Sequence, residues 1–130
     1  MQQFPDGEVV ENHHLETDRQ AISRLAGEFH IGAVRIAPAT VLAPMAGVTD
    51  TVFRRLIRNQ GGCGLLMTEF TSSHGVVAIR KSRKPTKAFR YLYFEPEEHP
   101  ISAQLFGSDP DVMAAAARVC QDQGFDIVDI

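Results

Sequence analysis

The stretch Val41-Leu-Ala-Pro-Met-Ala-Gly-Val-Thr-Asp50 decides which fold the sequence predicts. Its first three residues are apolar and indicate a short β-strand, and an amphipathic segment beginning near Asp50 indicates a helix directly after it. α/β proteins hold cofactors at the carboxyl ends of such strands, where small residues such as Ala46 and Gly47 let a flat ring or a phosphate approach the backbone. Taken alone, a turn of small residues between a strand and a helix is more often only a tight turn.

Three further motifs follow along the chain, and each contains an apolar run that predicts a parallel strand. The motifs are Gly62-Cys-Gly-Leu-Leu-Met-Thr-Glu-Phe70, Pro100-Ile-Ser-Ala-Gln-Leu-Phe-Gly-Ser-Asp-Pro110 and Gly124-Phe-Asp-Ile-Val-Asp-Ile130. With the first strand at 41–44, the predicted strands are 65–70, 101–106 and 125–130. Because helical segments alternate with these strands, the order favours parallel βα units with right-handed crossovers.

Helical periodicity and capping residues predict the connecting helices. Residues 50–59 predict a helix ended by Gly61 and Gly62, with an apolar face (Phe53, Leu56, Ile57) opposite an arginine face (Arg54, Arg55, Arg58). Asp109 and Pro110 begin another helix, which Gly124 ends. Its expected buried face is Val112, Ala116, Val119 and Cys120. Residues 73–81 predict a short helix, and residues 91–94 predict an extended segment.

The amino-terminal region has a different character. Residues 1–18 contain five acids and no lysine or arginine, which predicts an acidic extension, and residues 18–27 predict a short helix behind a capping sequence. Residues 29–36 alternate in polarity around Gly32 and Ala33, which predicts a β-hairpin.

The four motifs together closely resemble the amino-terminal part of the tRNA-dihydrouridine synthases, over about residues 29–130. The resemblance implies an α/β fold: the amino-terminal half of a (β/α)8 barrel of the TIM type, with parallel strands, preceded by a β-hairpin and an acidic extension over residues 1–28. A complete barrel needs roughly 250 residues. Residues 29–130 are therefore expected to form a partial FMN-binding domain.

The resemblance also implies an activity. The family reduces uridine to 5,6-dihydrouridine in tRNA, with FMN as cofactor and NADPH as electron donor. Its catalytic cysteine lies in an Asn-x-Gly-Cys-Pro motif that would follow Ile130, so we expect no catalytic residue within these 130 residues and no activity from them alone. Cys63 and Cys120 do not match that position and are expected to be reduced core thiols.

By the same resemblance, Pro44, Met45, Ala46 and Gln104 are expected to bind FMN. Gln104 interrupts an apolar strand, and its amide needs partners for both a donor and an acceptor. The flavin edge would supply them, although neighbouring backbone does so as often. At the same mouth of the barrel, Glu69 either orients ribose or uracil or binds a backbone amide, and Asp129 shapes the loop that follows.

A basic run predicts the contact with tRNA. Residues 80–90 contain no acid, and their cations are expected to neutralise phosphates while Phe89, Tyr91 and Tyr93 stack on an exposed base. The cations on the substrate side are Arg80, Lys81, Arg83, Lys84 and Lys87, followed by Arg90. The alternative is an ordinary solvated face.

Other classes of function are disfavoured. The five histidines lack zinc-ligand spacing, no GxGxxG motif is present, and neither a signal peptide nor a membrane span is evident, so we expect a cytoplasmic protein without a metal. Two alternatives remain open. One is a non-catalytic fragment that binds RNA or a partner through its basic segment, and the other is another flavin-dependent barrel oxidoreductase. The sequence leaves the oligomeric state open.

Overall fold

The computed structural model describes residues 27–79 and 87–130. The predicted helix at 18–27 and almost all of the acidic extension lie outside the described residues, as do residues 80–86 of the basic run.

The described part begins with two short antiparallel strands, β1 (Phe29–Ile31) and β2 (Val34–Ile36). The turn between them uses Gly32 at φ 59°, a left-handed conformation that favours glycine. After β2 the chain passes so close to Gly64 that a Cβ atom there would lie 2.0 Å from the carbonyl oxygen of Pro38. Glycine is therefore required where this segment crosses the entry to the main sheet.

The main sheet is parallel. β3 (Leu66–Met67) and β4 (Thr71–Ser72) pair with successive parts of β5 (Ile101–Phe106), and β6 (Ile127–Asp129) pairs with the other side of β5. Val41 adds a single parallel bridge to Leu65. The order of strands in space thus follows their order in the chain, as parallel βα units require.

Three predicted strands are shorter than expected. The strand predicted at 41–44 is reduced to the bridge at Val41, and the strand predicted at 125–130 covers only Ile127–Asp129. The strand predicted at 65–70 is interrupted at 68–70. There the backbone N–H of Gln104 donates to the side-chain Oγ1 of Thr68 at 3.2 Å and not to a backbone carbonyl oxygen. The strand predicted at 101–106 is confirmed.

Helices α1 (Thr51–Gln60), α2 (Ser73–Ile79), α3 (Lys87–Tyr91) and α4 (Pro110–Gln123) connect the strands, and Pro96–Glu98 forms a 3-10 turn before β5. The predicted cap Asp109 is confirmed, since it accepts from two amides of α4. Asp50, the predicted start of the first helix, caps α1 by accepting from the Phe53 amide at 2.9 Å. The extended segment predicted at 91–94 is wrong at Tyr91, which ends α3.

The hydrophobic core lies between the sheet and α4. Alternate residues of β5 point toward α4, because successive side chains of a strand lie on opposite faces. They pack against a row of apolar side chains on one face of α4. The buried members on β5 and α4 are Ile101, Ala103, Leu105, Met113, Ala116, Val119 and Cys120. Met113 takes the place that the sequence assigned to Val112, which is only half-buried.

Helix α1 is oriented differently from what its apolar pattern suggests. Leu56, on the predicted apolar face, is 54% exposed, whereas Arg54, on the arginine face, is buried. The reason is a carboxylate, Glu98, that reaches this face from the 3-10 turn.

Among the helices of the described residues, none has the length and apolar character needed to cross a bilayer.

Candidate functional site

The small-residue turn after Val41 is held by hydrogen bonds within it. The amides of Val48 and Thr49 both donate to the carbonyl oxygen of Met45 at 3.0 Å. The Met45 amide donates to Oγ1 of the buried Thr49 at 2.9 Å, so this side chain closes the turn from inside. Gly47 adopts φ 75°, and no atom outside its two chain neighbours lies within 4 Å of where its Cβ would be. The turn thus offers an exposed stretch of backbone in a fixed conformation.

Glu69, in the irregular segment that follows β3, binds this turn. The Gly47 amide donates to Oε2 of Glu69 at 2.8 Å, and the Glu69 side chain is largely buried. Of the two roles expected for this carboxylate, the structure shows the contact with a backbone amide.

Gln104 lies on the sheet face opposite α4 and is partly buried. Its Nε2 donates to Oδ2 of Asp129 at 2.9 Å, so Asp129 is a side-chain partner of Gln104. The carbonyl oxygen Oε1 of Gln104 accepts no hydrogen bond from the described residues. Two positions earlier on the same face, Oγ of the buried Ser102 has no partner within the described part of the chain.

These contacts join the carboxyl ends of the strands into one row. Gly47 binds Glu69, the adjacent Thr68 accepts from the Gln104 backbone, and Gln104 donates to Asp129. Of the predicted cofactor residues, the row includes Gln104 and braces the turn that carries Pro44, Met45 and Ala46. Pro44 is half-buried, whereas Met45 and Ala46 are exposed.

Arg54, a buried arginine that was not predicted from the sequence, contacts the end of the turn at Thr49. Arg54 donates from its two terminal nitrogens to the carbonyl oxygens of Thr49 at 2.9 Å and Tyr93 at 2.8 Å, and its Nε pairs with Glu98. Arg58, one turn later, donates to the carbonyl oxygens of Cys63 and Glu98 at 2.7 and 2.9 Å. No local signal in the sequence marks Arg54 as buried or Arg58 as half-buried, since the groups they contact lie outside the helix.

A groove lies beside the turn, with a volume of about 560 Å³. Its lining residues are Asp50, Thr51, Glu69, Phe89, Arg90, Tyr91 and Tyr93. Of the predicted substrate-side cations, Lys87 begins α3 and is exposed. Arg80, Lys81, Arg83 and Lys84 lie outside the described residues.

The two cysteines are free thiols in poor positions for nucleophilic chemistry. Cys120 is fully buried, and burial raises the pKa of its thiol to about 11. Burial also raises the pKa of Cys63, whose sulfur donates to the carbonyl oxygen of Leu65. A thiol must ionise to attack, so neither side chain is suited to that role at neutral pH.

Across residues 27–79 and 87–130, no group of three or more His, Cys, Asp and Glu side chains has the arrangement of a metal site.

Comparison with known proteins places these features in a family. The family model described as "Dihydrouridine synthase (Dus)" matches residues 41–130. A "Probable tRNA-dihydrouridine synthase 1" from Synechocystis is 36% identical over 105 residues, which cover 81% of this chain and 28% of that protein. A "tRNA-dihydrouridine synthase B" from Pseudomonas syringae pv. tomato is 44% identical over 106 residues, which cover 77% of this chain and 29% of that protein.

A further "tRNA-dihydrouridine synthase B", from Xanthomonas campestris, is 39% identical over 100 residues. The chain spans less than a third of the length of these relatives, since it covers 28% or 29% of each. The matched region includes the turn after Val41, the strand with Glu69 and the strand with Gln104. The chain therefore belongs to the dihydrouridine synthase family.

Proposed function

We propose that this chain forms the flavin-facing part of an enzyme that reduces uridine to dihydrouridine in tRNA, with FMN as cofactor and NADPH as electron donor. The observation that carries the proposal is the hydrogen-bonded row at the carboxyl ends of the strands. It braces an exposed backbone turn on one side and presents a glutamine amide on the other. This edge is where α/β barrels place their active sites.

The residues at this edge fit a flat polar ring. Ala46 and Gly47 leave the backbone of the turn open, so that a ring can lie against it without meeting a side chain. Gln104 keeps an unused carbonyl acceptor, while its amide nitrogen is held by Asp129. Ser102 adds a buried hydroxyl without a partner in the described part of the chain. Buried polar atoms without partners are uncommon, and a bound ligand is one reason for them.

In this proposal each residue has a separate task. The Met45 turn and Gln104 hold and orient the isoalloxazine ring, and Glu69 keeps the turn in its conformation through Gly47. Bound FMN would carry the electrons from NADPH to the uracil. Neither cysteine of the chain serves as the proton donor, because Cys120 is fully buried in the core against the sheet and Cys63 precedes the amino end of β3, away from the row at the carboxyl ends.

The tRNA side of the proposal depends on the basic run. Lys87 and Arg90 are exposed on α3, and exposed aromatic rings lie at and just beyond the end of that helix. Cations of this kind neutralise phosphates and fix the position of an RNA without reading its sequence. A target uridine inside a folded tRNA would also have to leave its stack to reach the flavin.

A chimera tests the proposal. Residues 41–130 replace the matching segment of the Pseudomonas syringae relative, and purified chimera is incubated with FMN, NADPH and unmodified tRNA. Mass spectrometry of the nucleosides then detects dihydrouridine by its two added hydrogens. We expect product from the chimera and much less from the same chimera carrying Gln104→Leu. A soluble, folded chimera that binds tRNA and forms no dihydrouridine would contradict the proposal.

A further inference from the structure

The groove beside the turn has the features of a ligand site. Three aromatic side chains, Phe89, Tyr91 and Tyr93, are 43%, 41% and 44% exposed, so none of them belongs to the core. All three line the same cavity of about 560 Å³. The hydroxyl of Tyr93 donates to Glu95, which fixes the orientation of that ring. Flat apolar walls of this size suit a single aromatic ligand.

Glu69 gives the groove a specific polar group. The side chain lines the groove although the residue is only 7% exposed. Its Oε2 accepts from Gly47, whereas Oε1 accepts no hydrogen bond from the described residues. A carboxylate only accepts hydrogen bonds, and a ligand here must therefore bring an N–H or O–H group.

The groove also carries a cation. Arg90 is exposed at its edge, and a guanidinium binds phosphate through paired N–H donors. An aromatic ring with a hydrogen-bond donor on its edge and a phosphate attached is the chemistry of a nucleotide. Stacking on tyrosine and phenylalanine, with arginine on the phosphate, is how proteins hold unstacked nucleotides.

The free carboxylate oxygen discriminates between bases. Uracil has one N–H on its pairing edge, between two carbonyl oxygens that a carboxylate repels. Cytosine and adenine present an exocyclic amino group, and a carboxylate accepts well from such a group. A base in this groove is consequently different from the uridine that the enzyme reduces.

We propose that the groove binds an unstacked tRNA nucleotide that flanks the target uridine and whose base carries an exocyclic amino group, with Glu69 Oε1 accepting from that amino group. This inference depends on the proposed function, because it assumes that the ligand is an RNA. It adds a second base-binding position beside the proposed flavin site. Glu69 would connect the two, because its Oε2 accepts from Gly47 of the turn while its Oε1 accepts from the base.

Nucleotide binding to the chain tests the groove. Affinities for CMP, AMP and UMP are measured by equilibrium dialysis with the unmodified chain and with Glu69→Gln. Glutamine keeps an oxygen for the Gly47 amide and turns an NH2 group toward the groove. We expect CMP and AMP to bind about tenfold more tightly than UMP, as one charge-assisted hydrogen bond provides. In Glu69→Gln this preference should disappear, because the NH2 group cannot accept from an exocyclic amino group and can donate to an acceptor on each of the three bases.

Two further variants separate the base contact from general damage. Asp111→Asn makes the same change from carboxylate to amide at an exposed position in the first turn of α4, outside the groove, so the preference should stay unchanged. Tyr91→Ala should weaken the binding of all three nucleotides by about tenfold through lost stacking. Circular dichroism melting confirms that each variant is folded.

The possible results distinguish a failure of the groove assignment from a failure of the proposed function. Equal binding of CMP and UMP, no nucleotide binding at all, or a preference that Glu69→Gln leaves intact would overturn the inference about the groove. If the chimera still reduces uridine in tRNA, only the groove assignment falls. A chimera that binds tRNA without reducing uridine would instead remove the proposed function on which this inference depends.

Discussion

The Nε atom of Arg54 lies 2.6 Å from Oε2 of Glu98, and the two side chains are only 2% and 0% exposed. Both groups are satisfied on their remaining atoms. Arg54 donates to two carbonyl oxygens, and the second oxygen of Glu98 accepts from the Thr51 hydroxyl and the Glu95 amide. This ion pair therefore joins the turn that begins α1 to the segment that precedes β5.

Removing one member of this pair should be strongly destabilising. Glu98→Gln leaves the guanidinium of Arg54 buried without a counter-charge, and breaking a buried pair in this way costs about 3–5 kcal/mol. We expect a loss of that size in the free energy of unfolding, measured by urea denaturation with circular dichroism. The fall should appear as a lower midpoint with an unchanged dependence on urea concentration.

An exposed ion pair between the same two elements, α1 and the 3-10 turn, provides the control. Arg55 and Glu97 lie 2.7 Å apart, but their side chains are 44% and 46% exposed, so solvent screens the interaction. Arg55→Gln should change the free energy of unfolding by less than about 1 kcal/mol. Similar losses in Arg55→Gln and Glu98→Gln would mean that the Arg54–Glu98 pair has no special role.

Gln104 should determine how well the flavin is retained. In Gln104→Leu the carbonyl acceptor and the contact with Asp129 are both lost, and the polar ring edge of FMN would face an apolar side chain. We expect FMN binding to weaken by about 1–3 kcal/mol. Fluorescence titration of FMN into the chimera that carries residues 41–130 measures this change.

The matched control for Gln104 is on the outer face of α4. Gln121 is exposed there, and Gln121→Leu makes the same substitution away from the strand ends. Its FMN affinity should equal that of the unmodified chimera. If Gln104→Leu also binds FMN normally, Gln104 does not belong to the flavin site.

The features that could be predicted from the sequence are the local ones. Asp50 and Asp109 cap their helices through amides two or three residues away, so a short motif contains both the donor and the acceptor. The strand Ile101–Phe106 was also predicted, because its alternate residues pack on a single helix. The extended segment predicted at 91–94 was wrong at Tyr91, since short irregular segments carry little periodic signal.

The features that escaped prediction depend on distant partners. Arg54 is buried by Glu98 and Tyr93, which lie 44 and 39 residues further along the chain, and nothing in the helix itself distinguishes it from Arg55. Glu69 was left with two roles because its partner Gly47 is 22 residues earlier. The sequence placed Arg54 on the correct helix and Glu69 close to the end of β3, but only tertiary structure determines which groups they meet.

Burial of Cys120 should make stability fall at alkaline pH. The thiol has a pKa of about 11 in the folded chain against an ordinary value of 9.0, so between these values the unfolded chain loses the proton while the folded chain keeps it. Stability is then unaffected below pH 9 and decreases as the pH rises toward 11. Unfolding free energies at pH 8 and 10.5, compared in a Cys63→Ala background with and without Cys120→Ala, isolate this effect. An equal decrease in both proteins would contradict the assignment.

The basic run should make tRNA binding depend on salt. Each lysine that contacts a phosphate contributes about 0.9 to the slope of log affinity against log salt concentration. Lys84→Ala and Lys87→Ala, each measured by filter binding at several salt concentrations, should therefore lower the slope by about that amount and leave base preference unchanged. Arg118→Ala removes one exposed cation from α4, away from the run, and should leave the slope unchanged. A slope that responds equally to all three substitutions would mean that residues 80–90 are an ordinary solvated face.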